Sequence, residues 1–525
     1  MEHTYLIIDV GTQSLRASLV SPKGEILAFS KQVYEVPYLS PEKGFAEQDI
    51  DYYLEKMAKA TNELNKEHPD LMKEILGMSI VTFRDSSILL DKDKKPIRRA
   101  ILWLDQRVTR LSKMQNFKWY EKVLFSLIGM SDAVRYNAER TVTYWLMDHE
   151  PENWAKLAYY CPLGAYFNYR ITGNLVVSAA DCIGHYPVNF KKGVWYGPHH
   201  PKQDVFHIPY SALPPLIKVG SKIGEVSEEF SKLSSIPVGT PVYASASDKA
   251  SENFGNGCID KSEASISLGT ACTIDVVDNK YKEPEKFLPT YPAPYVGGYN
   301  EEIQIYCGLW MIRWYLDNFG SEDKEEAKKR GISVEEVLNE KIRSVPVGSD
   351  GLVLQPYWQP GLKRPNAKGS IVGFSSVHTR YHIYRAIYEG LAFALREGLD
   401  EIVKKTHKTP ELLVLSGGGS RSIELCQIIT DVFGIPSMIS AQVESSTLGG
   451  AMAGYLATGY YKTPEEAKKN MFVEGKILQP NLANHRVYDR LYHEVYLHIY
   501  PSLAKVYNDC KDFALEEQRL ETDKE

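Results

Sequence analysis

The sequence predicts an α/β protein of two related domains. Three observations carry that expectation. A strand, a Gly-Thr turn and a second strand occur twice, at residues 5–20 and 264–277; strand patterns alternate with helical ones; and 525 residues exceed what one hydrophobic core organises. Each copy is a β-branched or apolar run, then Gly11-Thr12 or Gly269-Thr270 among small or polar neighbours, then a second run. That is a hairpin signal, with glycine expected to supply the turn's backbone freedom. Bare N–H groups and a hydroxyl at such a turn form a concavity suited to phosphate. One copy alone reads as an ordinary tight hairpin. Two copies on related halves can grip one polyphosphate from opposite sides, and Asp9 stands where a metal riding on those phosphates needs a carboxylate.

The elements follow in order. Ser21-Pro22-Lys23-Gly24-Glu25 is a turn signal before a third strand at 26–36, giving a meander that starts on the phosphate turn. Asp49 is the expected N-cap of a helix beginning at Ile50. Strands are expected at 75–81 and 86–90, and helices at 139–158, interrupted by Pro151, and at 165–171. Residues 241–248 read as a strand ending on Asp248, and the domain boundary falls at Gly255-Asn256-Gly257. The expected domains are therefore 1–256 and 257–500, with a charged tail at 501–525 that frays from residue 516. In the second half the pattern gives a helix at 308–319, a strand at 351–357, a long helix at 378–405 and a buried strand at 411–415. That strand runs into Ser416-Gly417-Gly418-Gly419-Ser420, a turn that lets backbone approach a flat or phosphorylated ligand, and a small-residue helix follows at 447–454.

Composition excludes several classes. With 43% hydrophobic and 24% charged residues the chain is of ordinary globular type, and a net charge of -6 argues against nucleic-acid binding. No apolar run approaches the roughly 20 residues that cross a bilayer. The first residues enter a strand pattern without a basic leader, so a cytoplasmic location is expected. Seven scattered cysteines (161, 182, 258, 272, 307, 426 and 510) lack metal-ligand spacing and are expected to be mostly buried free thiols. There is no G-x-x-x-x-G-K-[ST] segment, which excludes a P-loop, and the 13 histidines form no H-E-x-x-H cluster.

Two constellations carry chemistry. Asp248, among small residues beside the second Gly-Thr hairpin, is placed to take a proton from a substrate hydroxyl; alone, it would read as a helix cap. Arg84-Asp85 past a buried strand, with Trp103 about one hairpin later, suits a polyol: the charges bond hydroxyls and the indole packs on the carbon edge. A structural ion pair at a loop is the alternative.

In this order, from residue 6 to about 500, these elements resemble the FGGY carbohydrate kinase family. The matching segments are Asp9-Val10-Gly11-Thr12-Gln13-Ser14-Leu15-Arg16, Ala46-Glu47-Gln48-Asp49, Trp103-Leu104-Asp105-Gln106-Arg107, Asp248, Ser267-Leu268-Gly269-Thr270, Gly417-Gly418-Gly419-Ser420-Arg421-Ser422 and residues 444–451. The resemblance implies an internally duplicated, two-domain actin-like (ribonuclease H-like) ATPase fold with ATP between the lobes. It implies Gly11, Thr12, Gln13 and Arg16 on one side of the phosphates, Gly269 and Thr270 on the other, and Gly418, Gly419 and Ser422 at the adenosine. Mg²⁺ would ride on the phosphates near Asp9 and Asp248. Asp248 would be the base, with Arg84, Asp85 and Trp103 orienting a small sugar or polyol. The partner is thus a small molecule, with no nucleic acid or membrane; a homo-oligomer is left open. Two departures stand out: Lys249 follows the acid where the family often has Gln, and G-x-R-x-P survives only as Gly361-Leu362-Lys363-Arg364-Pro365. Lys249 is expected either to contact the substrate or to point into solvent. Arg84-Asp85 is more similar to glycerol and autoinducer kinases than to pentulose kinases, and ribulose and gluconate remain alternative acceptors. An actin-like ATPase switch without a sugar, or an inactive sugar-sensing regulator, is the reading of another class.

Overall fold

Two sheets of matching topology carry the chain in the computed structural model, which describes residues 3–522 other than 110–116, 285–287, 360, 362, 363, 365 and 443. In the first half, β1 (Thr4–Val10), β2 (Ser14–Val20) and β3 (Ile26–Val33) form the expected antiparallel meander. β4 (Ile75–Thr82) runs parallel to β1, and β5 (Lys222–Glu225) and β6 (Pro241–Tyr243) extend the order to β5-β6-β4-β1-β2-β3. The second half repeats this plan. β7 (Glu263–Leu268), β8 (Cys272–Asp278), the two-residue β9 (Tyr291–Pro292) and β10 (Tyr299–Ile305) pair antiparallel. β11 (Leu412–Ser416) and β12 (Ser437–Ile439) then add in parallel, with β13 (Lys476–Leu478) at the edge, in the order β9-β10-β8-β7-β11-β12-β13. The repeated meander, then parallel strands, is the duplication that the two Gly-Thr segments signal. β1 and β8 are buried along almost their whole length, with no alternation, because both faces of each sheet are covered.

The helices that matter to the site are α1 (Ile50–Glu67), α2 (Asp248–Gly255), α3 (Trp310–Phe319), α4 (Arg380–Thr406), α5 (Ile423–Phe433) and α6 (Ser445–Ala457). Asp49 caps α1 as expected, accepting from the Asp51 N–H at 3.0 Å. Two expectations are corrected. The strand before Asp248 ends at Tyr243, so Asp248 is the first residue of α2, and Ser247, accepting from the Ala250 N–H, is its cap. The helical stretch at 139–158 is interrupted at Pro151 as expected, into Val142–His149 and Pro151–Ala155, because Pro151 lacks the N–H that would continue the first and suits the first turn of the second. The tail does not fray at 516: α7 (Leu497–Thr522) runs through it, and residues 523–525 lie outside the described ones.

Each half has its own core, and a third cluster joins them: Tyr5, Ile7, Val20 and Val81 of the first sheet pack against Leu448, Met452 and Tyr455 of α6. The joint depends on small residues. A Cβ on Gly449 would lie 1.8 Å from the Ser251 carbonyl oxygen, and one on Gly255 1.9 Å from that of Ser445, so α2 and α6 touch backbone to backbone. All seven cysteines are free; six are buried and Cys510 is exposed. Among the described residues no helix is long and apolar enough to cross a membrane.

Candidate active site

The two hairpins close on themselves in the same way. Gly11 N–H donates to the Ser14 carbonyl at 3.0 Å, and Gly269 N–H to that of Ala271 at 3.2 Å. Neither glycine has a positive φ, so the expected backbone freedom is not what the turn uses. A Cβ would instead crowd the same carbonyls, at 3.1 Å and 3.2 Å, and its absence leaves the N–H groups uncovered. The Tyr34 N–H holds the Gln13 carbonyl, while the first residues of α3 brace the second turn: Leu309 N–H donates to Gly269 and Trp310 N–H to Thr270. Arg16 stands opposite Asp9 in the β1–β2 register and forms an ion pair with Glu444, just before α6.

Asp248 lies where the first sheet meets α2, with Ser247 bridged to Thr82 at the end of β4. Burial pushes its carboxyl up from the usual range, while Arg84 and Lys249 pull the other way. Burial and the charge of Asp248 raise Asp9 to about 6. Burial, then Asp248, likewise raise Asp181 to about 7, against the Thr82 hydroxyl that donates to it at 2.8 Å. Three carboxyls thus share one desolvated region, and the two that sequence reasoning singled out, Asp9 and Asp248, repel each other. The stability sign follows: Asp181 is held in its protonated form, so its contribution is full below the ordinary 3.8 and is lost as pH rises through about 7. Asp181→Asn should therefore raise the unfolding temperature relative to the native chain at pH 8, and that gain should shrink towards pH 5; a pH-independent difference in thermal scans would contradict it.

Arg84, Asp85 and Trp103 all come from the first half. Arg84 sits just past β4 and extends its fork across to Glu302 on β10, in the second half, at 2.9 and 3.1 Å. Asp85, in a left-handed conformation (φ 56°), accepts from the backbone N–H and ring Nδ1 of His185, both at 2.9 Å. Burial favours the protonated Asp85, but His185 outweighs it and holds the carboxyl below its usual range. Trp103 Nε1 donates to the Thr12 hydroxyl at 3.0 Å, joining its loop to the first Gly-Thr turn. Trp103 is held by an interlocked pair of motifs. Asp105 accepts from the Ala46 N–H at 2.7 Å and from Arg107 Nε at 2.7 Å. Arg107 also donates to Glu47 at 2.8 Å and lies 4.1 Å from the Phe45 ring centroid and 4.4 Å from that of Trp145.

Lys249 does not extend into solvent: Nζ donates to Glu252 at 2.7 Å and to the Ser267 hydroxyl at 2.8 Å, tying α2 to the second hairpin. Ser416 donates to the other oxygen of Glu252 at 2.8 Å, which brings the glycine turn into the same network. In that turn Gly417 (φ 81°) lies against the Leu268 backbone and Gly419 against Leu309, while a Cβ on Gly418 would meet nothing within 4 Å. Gly418 is therefore the one with an open face. The Ser422 hydroxyl caps α5 through the Leu425 N–H at 3.2 Å and accepts from Asn339 at 3.1 Å. Of the G-x-R-x-P segment, Leu362, Lys363 and Pro365 lie outside the described residues, whereas Arg364 pairs with Glu397 beside Tyr357.

Sequence reasoning missed Glu302, His185, Asp181 and Glu252, and had Ser267 only as a member of the second hairpin motif. Glu301 and Glu302 are both buried in β10, but that strand is mostly polar in sequence, so only the adjacent acids between Tyr299 and Ile303 hinted at a buried charge needing a partner. Among the described residues no set of three His, Cys, Asp or Glu side chains is placed to hold a metal.

The comparisons with known proteins agree with one another. The family model described as "FGGY family of carbohydrate kinases, N-terminal domain" matches residues 4–255, and the corresponding C-terminal model matches 264–458. The chain is 26% identical over 524 residues to the xylulose kinase of Lactococcus lactis, covering 97% of this chain and 99% of that one. It is 26% identical over 475 residues to the gluconokinase of Bacillus licheniformis, covering 86% and 87%. The crystal structure of xylulose kinase from Rhodospirillum rubrum superposes with a TM-score of 0.81 at 24% identity, covering 96% of this chain and all (100%) of that one, which shows a shared fold.

Proposed function

This chain belongs to the FGGY family of carbohydrate kinases, and on that premise we propose how its own residues pass a phosphoryl group from ATP to a primary hydroxyl of a small sugar or polyol. The observation that carries the reading is the position of Asp248: half-buried, bracketed by Asp9 and Arg84, and on a helix tied through Lys249 to the second Gly-Thr hairpin. The acceptor lies against Arg84, Asp85 and the Trp103 indole. Asp248 takes the proton of its hydroxyl as that oxygen attacks the γ-phosphorus and the bond to the ADP oxygen breaks. Positioned base catalysis of this sort contributes about 10²–10⁴-fold, and a carboxyl raised towards neutrality suits the task. The Gly11–Gln13 turn with Arg16 and the Gly269-Thr270 turn hold the phosphates, so charge neutralisation and alignment carry most of the remaining catalysis. Gly418 and Gly419 form the floor beneath the adenosine, with Ser422 fixing the start of α5 beside it.

Mg²⁺ fits this donor set as a shared ion and not as a resident one. Asp9 and Asp248 crowd each other, and a cation near both would relieve that repulsion, but the set is too small to bind an ion without phosphate and water oxygens. When bound, the ion would neutralise charge on the phosphates. The same reading takes residues 1–256 as the acceptor half and 257–500 as the nucleotide half, and places the protein in the cytoplasm, in keeping with its free, mostly buried thiols. Measuring ADP release with ATP, Mg²⁺ and a panel of polyols, ketoses and aldonic acids tests it. Release is expected to depend on the acceptor; hydrolysis at one rate across the panel would favour the nucleotide switch.

A further inference from the structure

Among the described residues, Arg84, His185 and Lys249 at the proposed acceptor site are each paired with a carboxylate. The two terminal nitrogens of Arg84 form a fork onto the two oxygens of Glu302, the geometry by which a guanidinium holds a carboxylate. Glu302 is 7% exposed and comes from the opposite half of the chain, so this pairing is made only when the two halves meet. Its cross-strand neighbour Asp275 is also buried, and burial followed by the charge of Glu302 pushes the Asp275 carboxyl well above the usual range. Two other cations have carboxylate partners too: His185 is committed to Asp85, and Lys249 to Glu252. Arg140, whose charge acts on His185, keeps that charge: it lies 3.5 Å from the Tyr136 ring centroid and donates to the neutral Tyr136 carbonyl at 3.2 Å.

Resting on the kinase reading, we propose that the acceptor is an uncharged ketose or polyol, and that Glu302 enforces this by occupying the Arg84 fork. Of the five N–H groups of a guanidinium, Arg84 spends two on Glu302, which leaves three to donate to neutral hydroxyls. A sugar acid entering the same space would bring a carboxylate beside Glu302, Asp85 and Asp248, with its natural partner already taken. A desolvated charge without a partner is rejected far more strongly than one missing hydroxyl contact. Glu302 is thus a specificity-determining and positioning residue, acting through Arg84.

The test measures kcat and KM, by coupled ADP release, for uncharged acceptors (D-xylulose, D-ribulose, ribitol, glycerol) and for aldonates (D-gluconate, D-ribonate), in the native enzyme and in Glu302→Gln. In the native enzyme the best uncharged acceptor is expected to exceed every aldonate by about 100-fold in kcat/KM. Glu302→Gln keeps the shape and removes the charge, and it should narrow that gap by about 10-fold, mainly through a lower KM for the aldonate. A purely structural role would lower turnover of both classes alike and leave the ratio fixed, which would overturn the role of Glu302. Should the variant fail to fold, the native panel still decides: an aldonate phosphorylated as well as the best uncharged acceptor overturns the proposal while leaving the kinase reading intact. ADP release indifferent to every acceptor would sink both.

Discussion

Asp248→Asn is expected to lower kcat by about 10²–10⁴-fold while ATP still binds. The substitution preserves volume and leaves Ser247 as the cap of α2, so the helix and its ties to the second hairpin stay in place. What would go is the proposed proton acceptor, together with the negative charge that raises Asp9 and Asp181. Asp9 and Asp181 should then titrate lower, and the acid limb of the remaining activity should shift to lower pH. Single-turnover measurements with saturating ATP and acceptor separate the chemical step from binding, and calorimetric ATP titration checks that the nucleotide site survives. Near-native turnover would remove Asp248 from the role of base. Loss of ATP binding in step with turnover would instead make it a structural member of the phosphate site.

Gly449→Ala should be the most damaging single methyl group far from any ligand. The added carbon would lie 1.8 Å from the Ser251 oxygen and 2.7 Å from the Gly255 nitrogen, both backbone atoms of α2. A flexible side chain could move aside; a helix backbone can only retreat as a unit. Overpacking of well-filled sites costs about 1–3 kcal/mol, and a clash with backbone belongs at or beyond the top of that range. Because α2 begins with Asp248, its retreat should also lower kcat. Gly197→Ala is the control, since a Cβ there would meet nothing within 4 Å; its melting temperature and turnover should match the native chain. Equal melting temperatures for Gly449→Ala and Gly197→Ala would show that α2 and α6 do not cross this closely.

How much of this was legible in the chain depends on distance along it. Both Gly-Thr hairpins could be read because each signal is local, apolar runs flanking a small turn, and the Asp49 cap needed only its neighbours. Their glycines were rightly located for an incomplete reason, since crowding against a carbonyl leaves no trace in composition. Asp248 was found, but its element was misread: β6 pairs with β4 only at Val242 and Met78, and the small residues that follow leave the sheet before α2 starts. The pairing of Lys249 with Glu252, one helical turn apart, was within reach of pattern reasoning, whereas its bond to Ser267 required the second hairpin in place. Arg84 and Glu302 are separated by 218 residues and belong to different sheets, so no local pattern announces them as partners.

The crossing of α2 and α6 also bears on how the enzyme would take in and let go of its ligands. Where Gly255 and Gly449 touch, no side-chain ridges interlock to fix a crossing angle. Such a contact works as a fulcrum: it resists being pulled apart yet tolerates small rolling tilts. A tilt there would be felt most at Asp248, which opens α2 at the end away from Gly255, so the proposed base could shift against the phosphates without any linker bending.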